Sequence, residues 1–321
     1  MSLISRILKA NPSAQVSSVL TGSFTIPSAK AAFVPPLMRG LFGGGNSGNF
    51  SNVIDYIDIT TTGNATDFGD LTVARAMVHA VSSTTRGVFG SGEISGSRND
   101  VIDYVTIATT GNATDFGDMA AIREGYGSCS SSTRGLFGGG TGRLNNIDYI
   151  TIASTGNTTT FGTLSNSIQL LTGCASPTRG IFCGGYISGV STNVIEYVTI
   201  ATTGNATDFG DTTVARYGPA GCSNSTRGLF GGGYSAQPDN IIDYITIAST
   251  GNAIDFGDLT VSFSYRNGVS SSTRAVFGGG SSSNVLDYVT IDTTGNATDF
   301  GDLTVGRYGL GACSSGHGGL S

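Results

Sequence analysis

Histidine is nearly missing from this 321-residue chain: only His79 and His317 occur, at unrelated positions. A Ser-His-Asp triad, a zinc site or a copper site therefore lacks convergent ligands and bases. No enzymatic activity, metal or cofactor is expected. Charge is scarce as well. Only 12% of residues are charged, and a net charge of −6 with a pI near 4.8 argues against a nucleic-acid partner. No apolar run reaches the roughly 18 residues of a spanning helix, so no membrane insertion is expected. Arg6 and Lys9 interrupt what a secretion signal would need as unbroken apolar sequence, so the N-terminus is read as retained.

Four of the five cysteines follow a phase. Cys129, Cys174 and Cys222 each lie five residues before a recurring arginine, and Cys313 holds the same phase. Val34, Val81 and Val269 fill that slot in the other copies. A slot that takes Cys or Val is a small apolar core position rather than a disulfide or a metal ligand. The chain is expected to fold under reducing conditions.

Glycine, by contrast, is abundant at 50 residues. There is no G-X-Y period, which excludes collagen. What repeats is longer. An arginine opens each of six copies (Arg39, Arg86, Arg134, Arg179, Arg227, Arg274), and a tyrosine preceded by an acid marks the middle (Tyr56, Tyr104, Tyr149, Tyr197, Tyr244, Tyr288). From each Tyr to the next Arg the count is always 30, whereas from Arg to Tyr it runs 17, 18, 15, 18, 17 and 14. A scaffold that fixes everything but one loop per unit presents variable loops, which points to binding.

The fifth copy reads as strands. Ser225–Gly233 is a short apolar burst stopped by glycines, and Asn240–Thr250 is β-branched and apolar on both faces. Such a strand is sandwiched between layers. Gly251-Asn252 signals a two-residue hairpin into a return strand, Ala253–Val261. A weaker strand near Val269–Ser272 leads to the next Arg. Four antiparallel strands repeated six times make a six-bladed, all-β propeller.

Arg…Leu-Phe-Gly-Gly…Asp-Tyr…Phe resembles the kelch repeat, with its glycine doublet after the second strand, a tyrosine in the third and an aromatic in the fourth. The resemblance runs from Arg39 to the C-terminus. It departs where Phe68, Phe116, Phe161, Phe209, Phe256 and Phe300 replace the usual Trp. The wording Thr-Thr-Gly-Asn-Ala-Thr-Asp-Phe-Gly-Asp is similar to kelch-like repeats in virion proteins of marine bacteriophages, of cyanophage type.

Arg307–Ser315 is a seventh copy of the first strand with no blade to follow it. It is expected to complete the first blade beside Gly40–Gly45, removing an open edge. Residues 1–37 then remain as an N-terminal docking arm, and 38–321 form the propeller. Asp-Phe-Gly occurs five times without a phosphate loop or catalytic loop, so a kinase reading fails. Asp67, Asp70 and their counterparts read as solvated edge charges, and the Asn-X-Ser/Thr sites as turn residues. The six repeat arginines and the acids before each Tyr (Asp55, Asp103, Asp148, Glu196, Asp243, Asp287) are expected to pair as structural bridges.

The loops after the second and fourth strands open on one face, and both sets diverge. Their candidate binding residues are Phe50, Ile94, Arg98, Arg143, Leu144, Tyr186, Ile187, Tyr234 and Gln237, with Tyr126, Tyr217, Tyr265 and Tyr308 from the second set. Tyr and Arg in Ser/Gly-rich loops are what contact surfaces use. The resemblance implies a non-enzymatic structural protein of a phage tail or tail fibre, localised to the virion in multiple copies. Its arm would dock to other tail proteins, while the loop face meets a host-surface glycan or protein or a neighbouring subunit. A cellular kelch-type interaction module and a glycan-binding or glycan-processing propeller are the alternatives.

Overall fold

The structure, a computed structural model, describes residues 38–142 and 144–320. Six four-stranded antiparallel sheets stand around one axis as a six-bladed β-propeller. Blade II shows the order: inner strand His79–Ser82, second strand Arg86–Ile94, third strand Ser97–Thr106 and outer strand Thr114–Asp118. Blades III to VI begin with inner strands Gly127–Ser130, Thr172–Ala175, Ala220–Ser223 and Asn267–Ser270.

Blade I is assembled from both ends of the described chain. Gly311–Ser314 is its inner strand and pairs with Arg39–Gly43, Gly40 facing Ser314 and Gly43 facing Gly311. The expected closure holds, with a shorter strand than Arg307–Ser315. The junction is chemically like the others: Ser315 Oγ accepts the Arg39 N–H, as Ser131 Oγ does from Arg134 and Ser176 Oγ from Arg179. The pairing covers the edge of Arg39–Gly43 that would otherwise lie open.

There is one core per blade interface. Leu41, Ile54 and Phe68 of blade I pack with Phe89, Val105 and Ile107 of blade II, and Phe42 and Ile57 on its other face pack with Val276, Leu286 and Phe300 of blade VI. This is why the third strands are apolar on both faces. The Cys/Val slot behaves as expected: Val81, Cys129, Cys174, Cys222, Val269 and Cys313 are all buried and the cysteines are free. Val34 lies outside the described residues.

The expected bridges between repeat arginines and acids do not form. Antiparallel register sets Phe42 opposite Asp55 and Leu41 opposite Tyr56, and Arg39 shares the face of Leu41 and Tyr56. The acid therefore points to the other face. The arginines lie over the tyrosine rings instead, 4.3–4.7 Å from ring centroid to guanidinium carbon. Each also donates to a carbonyl of the following blade, Arg39 to Ile107 and so on around to Arg274 and Ile59. Five of the six acids take different arginines, from the loop that leads into their own blade: Arg75–Asp103, Arg123–Asp148, Arg216–Asp243, Arg266–Asp287 and Arg307–Asp55.

The two-residue Gly-Asn hairpin is also corrected. In blade V the strands are Ile241–Thr246 and Ile254–Asp258, leaving seven residues, 247–253, between them. The glycine has φ 153° and the asparagine side chain reaches across to the preceding blade, where Asn252 Oδ1 accepts the Asp211 N–H at 3.1 Å. Asn64, Asn112, Asn157, Asn205 and Asn296 make the same bond. These turns are clips between blades.

Candidate functional site

Loops after the second strand and loops leading into the next inner strand share one face, and short backbone bridges knit the two sets together. Asn46 bridges Tyr308, Ala76 bridges Glu93, Gln169 bridges Tyr186, and Tyr217 bridges Tyr234. The longest second-strand loops are hairpins in their own right. Blade II continues its ladder to Ile94 facing Ser97, and blade IV pairs Tyr186–Ile187 with Val190–Ser191.

A glycine doublet sharpens the exit from the second strand. Gly44 and Gly45 have φ 72° and 107°, and a Cβ on Gly44 would stand 2.7 Å from the Arg75 carbonyl. Only glycine combines that backbone with so close an approach.

The loops into the inner strands are anchored from beneath by the buried ion pairs. Arg216 donates to Asp243 and to the Phe230 carbonyl, and Thr213 Oγ1 donates to the same carboxylate at 2.6 Å. Arg307, Asp55 and Thr304 repeat this in blade I. Burial lowers the pKa of Arg75, Arg266 and Arg307, opposed by their aspartate partners. Sequence reasoning missed these arginines. Their signal was there: Arg75, Arg123, Arg216 and Arg307 each lie 19 residues after a repeat tyrosine.

On this rigid base the tyrosines converge. Tyr217 stacks on Tyr234 at 5.2 Å, meets Tyr186 edge-on at 5.2 Å and Tyr265 at 6.0 Å, and Tyr265 lies 6.2 Å from Tyr308. Five half-buried rings from blades IV, V and VI and the entry to blade I thus form one cluster. Burial raises the Tyr265 pKa, and the hydroxyls of Tyr217, Tyr308 and Tyr234 around it raise it further.

Tyr126 is not part of the cluster. It is fully buried, its hydroxyl donates to the Gly90 carbonyl, and its ring packs on His79 and Phe137. Of the other candidates, Ile94 and Leu144 are half-buried and Arg98 is exposed on blades II and III, the more charged side of the face. There Glu124 has a raised pKa, from burial first and Glu93 second, with Arg98 opposing. Phe50 bridges Asn46 in blade I, Ile187 packs toward the core between blades III and IV, and Gln237 is exposed on blade V. Arg143 lies outside the described residues.

The axis itself offers little space. A cavity of about 50 Å³ runs between the inner strands, past Ser82, Ser130, Ser223, Ser270 and Ser314, enough for about three waters. Four of these serine hydroxyls donate to the carbonyl of a neighbouring serine, and Ser223 donates to Ala175, the one break in the ring. On the uniform face His317 reaches into this ring. Its Nδ1 accepts the Gly319 N–H, so Nε2 carries the proton toward the Ser82 carbonyl at 3.1 Å. Burial lowers the pKa of His317 to about 4. On the loop face Met77, Leu170 and Tyr265 stand around the mouth.

No metal-binding group of His, Cys, Asp or Glu exists among the described residues. No helix among them is long and apolar enough to cross a membrane. No protein-family model matches the chain, and no curated protein matches it significantly. The β-propeller fold, of a kind compatible with a protein-interaction module, is what the geometry establishes.

Proposed function

We propose that this chain is a non-enzymatic virion protein of a phage tail or tail fibre, which binds through its variable loop face. The observation that carries the binding reading is the tyrosine cluster. Length variation is confined to one loop per repeat, and the same face gathers five tyrosines on hydrogen-bonded loops. Rigid aromatic side chains with two χ angles lose little entropy on binding, which makes them efficient contact residues. The phage assignment is supported by the repeat wording alone. The narrow axial cavity favours a surface partner over a substrate drawn into the ring.

Met38, where the described chain begins, lies on the opposite face, beside Gly316. Residues 1–37 lie outside the described residues and are proposed as the docking arm. They carry Arg6, Lys9 and Lys30 with no acid, a charge of +3 beside −9 for the remaining chain. That contrast suits an acidic docking partner.

Replacing Tyr186 and Tyr234 by serine tests the reading; Ile187 is left in place because it packs toward the core. Attachment to host cells or to the neighbouring subunit should vanish while the melting temperature holds. The control belongs on the uniform face at exposed Thr84 and Ser132, since the Gly-Asn turns hold blades together. Attachment that survives the tyrosine changes and is lost with the Thr84 and Ser132 changes would reverse the assignment of faces.

A further inference from the structure

We infer that the tyrosine cluster is a platform for a neutral saccharide, a proposal that rests on the loop face being the binding face. The first argument is chemical. Half-exposed phenol rings offer flat apolar faces to the C–H face of a sugar, and hydroxyls that both donate and accept to its OH groups. The hydroxyls of Tyr217, Tyr234 and Tyr308 lie near that of Tyr265, whose ionisation is suppressed. The patch is therefore uncharged and rich in hydroxyls, matching a ligand of the same character.

The second argument is the placement of cations. No lysine follows Lys30. The six arginines from residue 172 to residue 310 are all committed. Arg179, Arg227 and Arg274 lie over tyrosines of the third strands and donate to carbonyls. Arg216, Arg266 and Arg307 are buried against aspartates. An anionic sugar or phosphate would find no guanidinium there, and it would meet Asp239 on the blade V loop.

The third argument is preorganisation. Tyr217 and Tyr234 exchange backbone hydrogen bonds of 3.0 and 2.8 Å, Tyr186 is bonded to Gln169, and Tyr308 to Asn46. Tyr265 is held at φ 58° and donates its N–H to the Gly218 carbonyl. A side chain the size of tyrosine rarely occupies that backbone region, so its ring position is imposed by the ring of blades. Such an open platform binds weakly per copy and gains from multivalent display.

The test uses the full chain, biotinylated and displayed on streptavidin, against printed neutral hexose and N-acetylhexosamine oligosaccharides and their sulfated or sialylated counterparts. Neutral glycans should be captured, with signal retained between about 0.15 M and 1 M salt. Tyr234→Ala and Tyr186→Ala should each lower binding about tenfold or more, as loss of a central aromatic contact does. Tyr234→Phe, which keeps the ring, should lower it less, and circular dichroism melts confirm that the variants fold.

Failure to capture any neutral glycan overturns the proposal, as does capture of anionic glycans only or binding abolished by salt. Unchanged binding by folded alanine variants overturns it too. If those variants lose attachment to cells or particles while no glycan binds, the loop face still binds, but to protein. If they also keep attachment, the functional reading falls with it.

Discussion

Blade V contains the ion pair whose loss can be calibrated against the protein itself. Arg216 lies 2.8 Å from Asp243, with exposures of 1% and 0%. Arg216→Ile leaves a buried carboxylate with Thr213 as its remaining side-chain partner, which should cost about 3–5 kcal/mol. One blade already lacks this pair. Blade IV has Ile168 where the arginine would stand, and there the acid is Glu196, 6% exposed, its Oε1 accepting the Ser165 N–H at 2.9 Å. The longer side chain leaves this carboxylate slightly more exposed than the buried aspartates, and it stands there on a backbone donor without a counter-ion among the described residues.

The double variant Arg216→Ile/Asp243→Glu recreates that arrangement. It should recover part of the loss, giving a coupling energy of about 1–3 kcal/mol in a double-mutant cycle. Urea titrations supply the numbers, read from the midpoint at constant m. Effects that add to within about 0.5 kcal/mol would refute the reasoning. So would an Arg216→Ile cost below about 1 kcal/mol, which would place the carboxylate in water.

Arg134→Ala should cost only about 1–2 kcal/mol, because it removes a cation–π contact on Tyr149 and one bond to the Ile200 carbonyl without stranding a charge; urea midpoints decide, and a loss above about 3 kcal/mol would restore a buried pair. Deleting residues 308–321 removes the inner strand of blade I and exposes the Arg39–Gly43 edge, so the product should aggregate in size-exclusion runs rather than melt cooperatively. His79 has its pKa lowered to about 4 by burial, from an ordinary 6.5. The unfolded chain then binds more protons between those values, so stability is complete above about pH 6.5 and declines as pH falls toward 4, by at most about 3 kcal/mol. The ring keeps a little exposed surface, which makes that figure an upper bound. His79→Phe, which can keep the packing on Tyr126, should make the acid limb of the urea midpoint against pH shallower, leaving the share of His317, and an unchanged limb would show the His79 imidazole to be hydrated.

Blade number, ring closure and the divergent face were legible in the sequence because each rests on spacing. A Tyr-to-Arg count of 30 recurs five times between six copies, and a seventh copy of the first strand, Arg307–Ser315, marks the closing strand. The Cys/Val slot was legible too. Its consequence was not: a Cβ on Gly135 would stand 2.5 Å from Val81 of blade II, and one on Gly180 2.6 Å from Cys129 of blade III. This is why glycine follows five of the six repeat arginines, a reason that exists only between blades. The partner of Asp243 was illegible for the same cause. Two charges recurring in every copy suggest each other, but strand alternation sends Asp243 and Arg227 to opposite faces. The cluster was half legible, since sequence placed its tyrosines on one face but could not separate buried Tyr126 from open Tyr217.

The mouth of the axis explains how that face stays rigid while its loops vary. Residues 77, 125, 170, 218, 265 and 309 are equivalent, all with φ between 53° and 64°, and alternate Met, Gly, Leu, Gly, Tyr, Gly. Backbone bonds link neighbours around the axis: Leu170 donates to Gly125, Gly218 to Leu170, Tyr265 to Gly218 and Gly309 to Tyr265. A Cβ on Gly125 would stand 2.7 Å from the Leu170 side chain, and one on Gly309 3.1 Å from the Met77 sulfur. Six side chains cannot fit around so small a circle. Three can, if every second position is glycine, and each of the three accepts a left-handed backbone at a cost of about 1–2 kcal/mol. The circle fixes where each loop begins, independent of how long the second-strand loop beside it grows. Loop length is thereby uncoupled from scaffold geometry, the property a face needs if its contacts are to change while the ring does not.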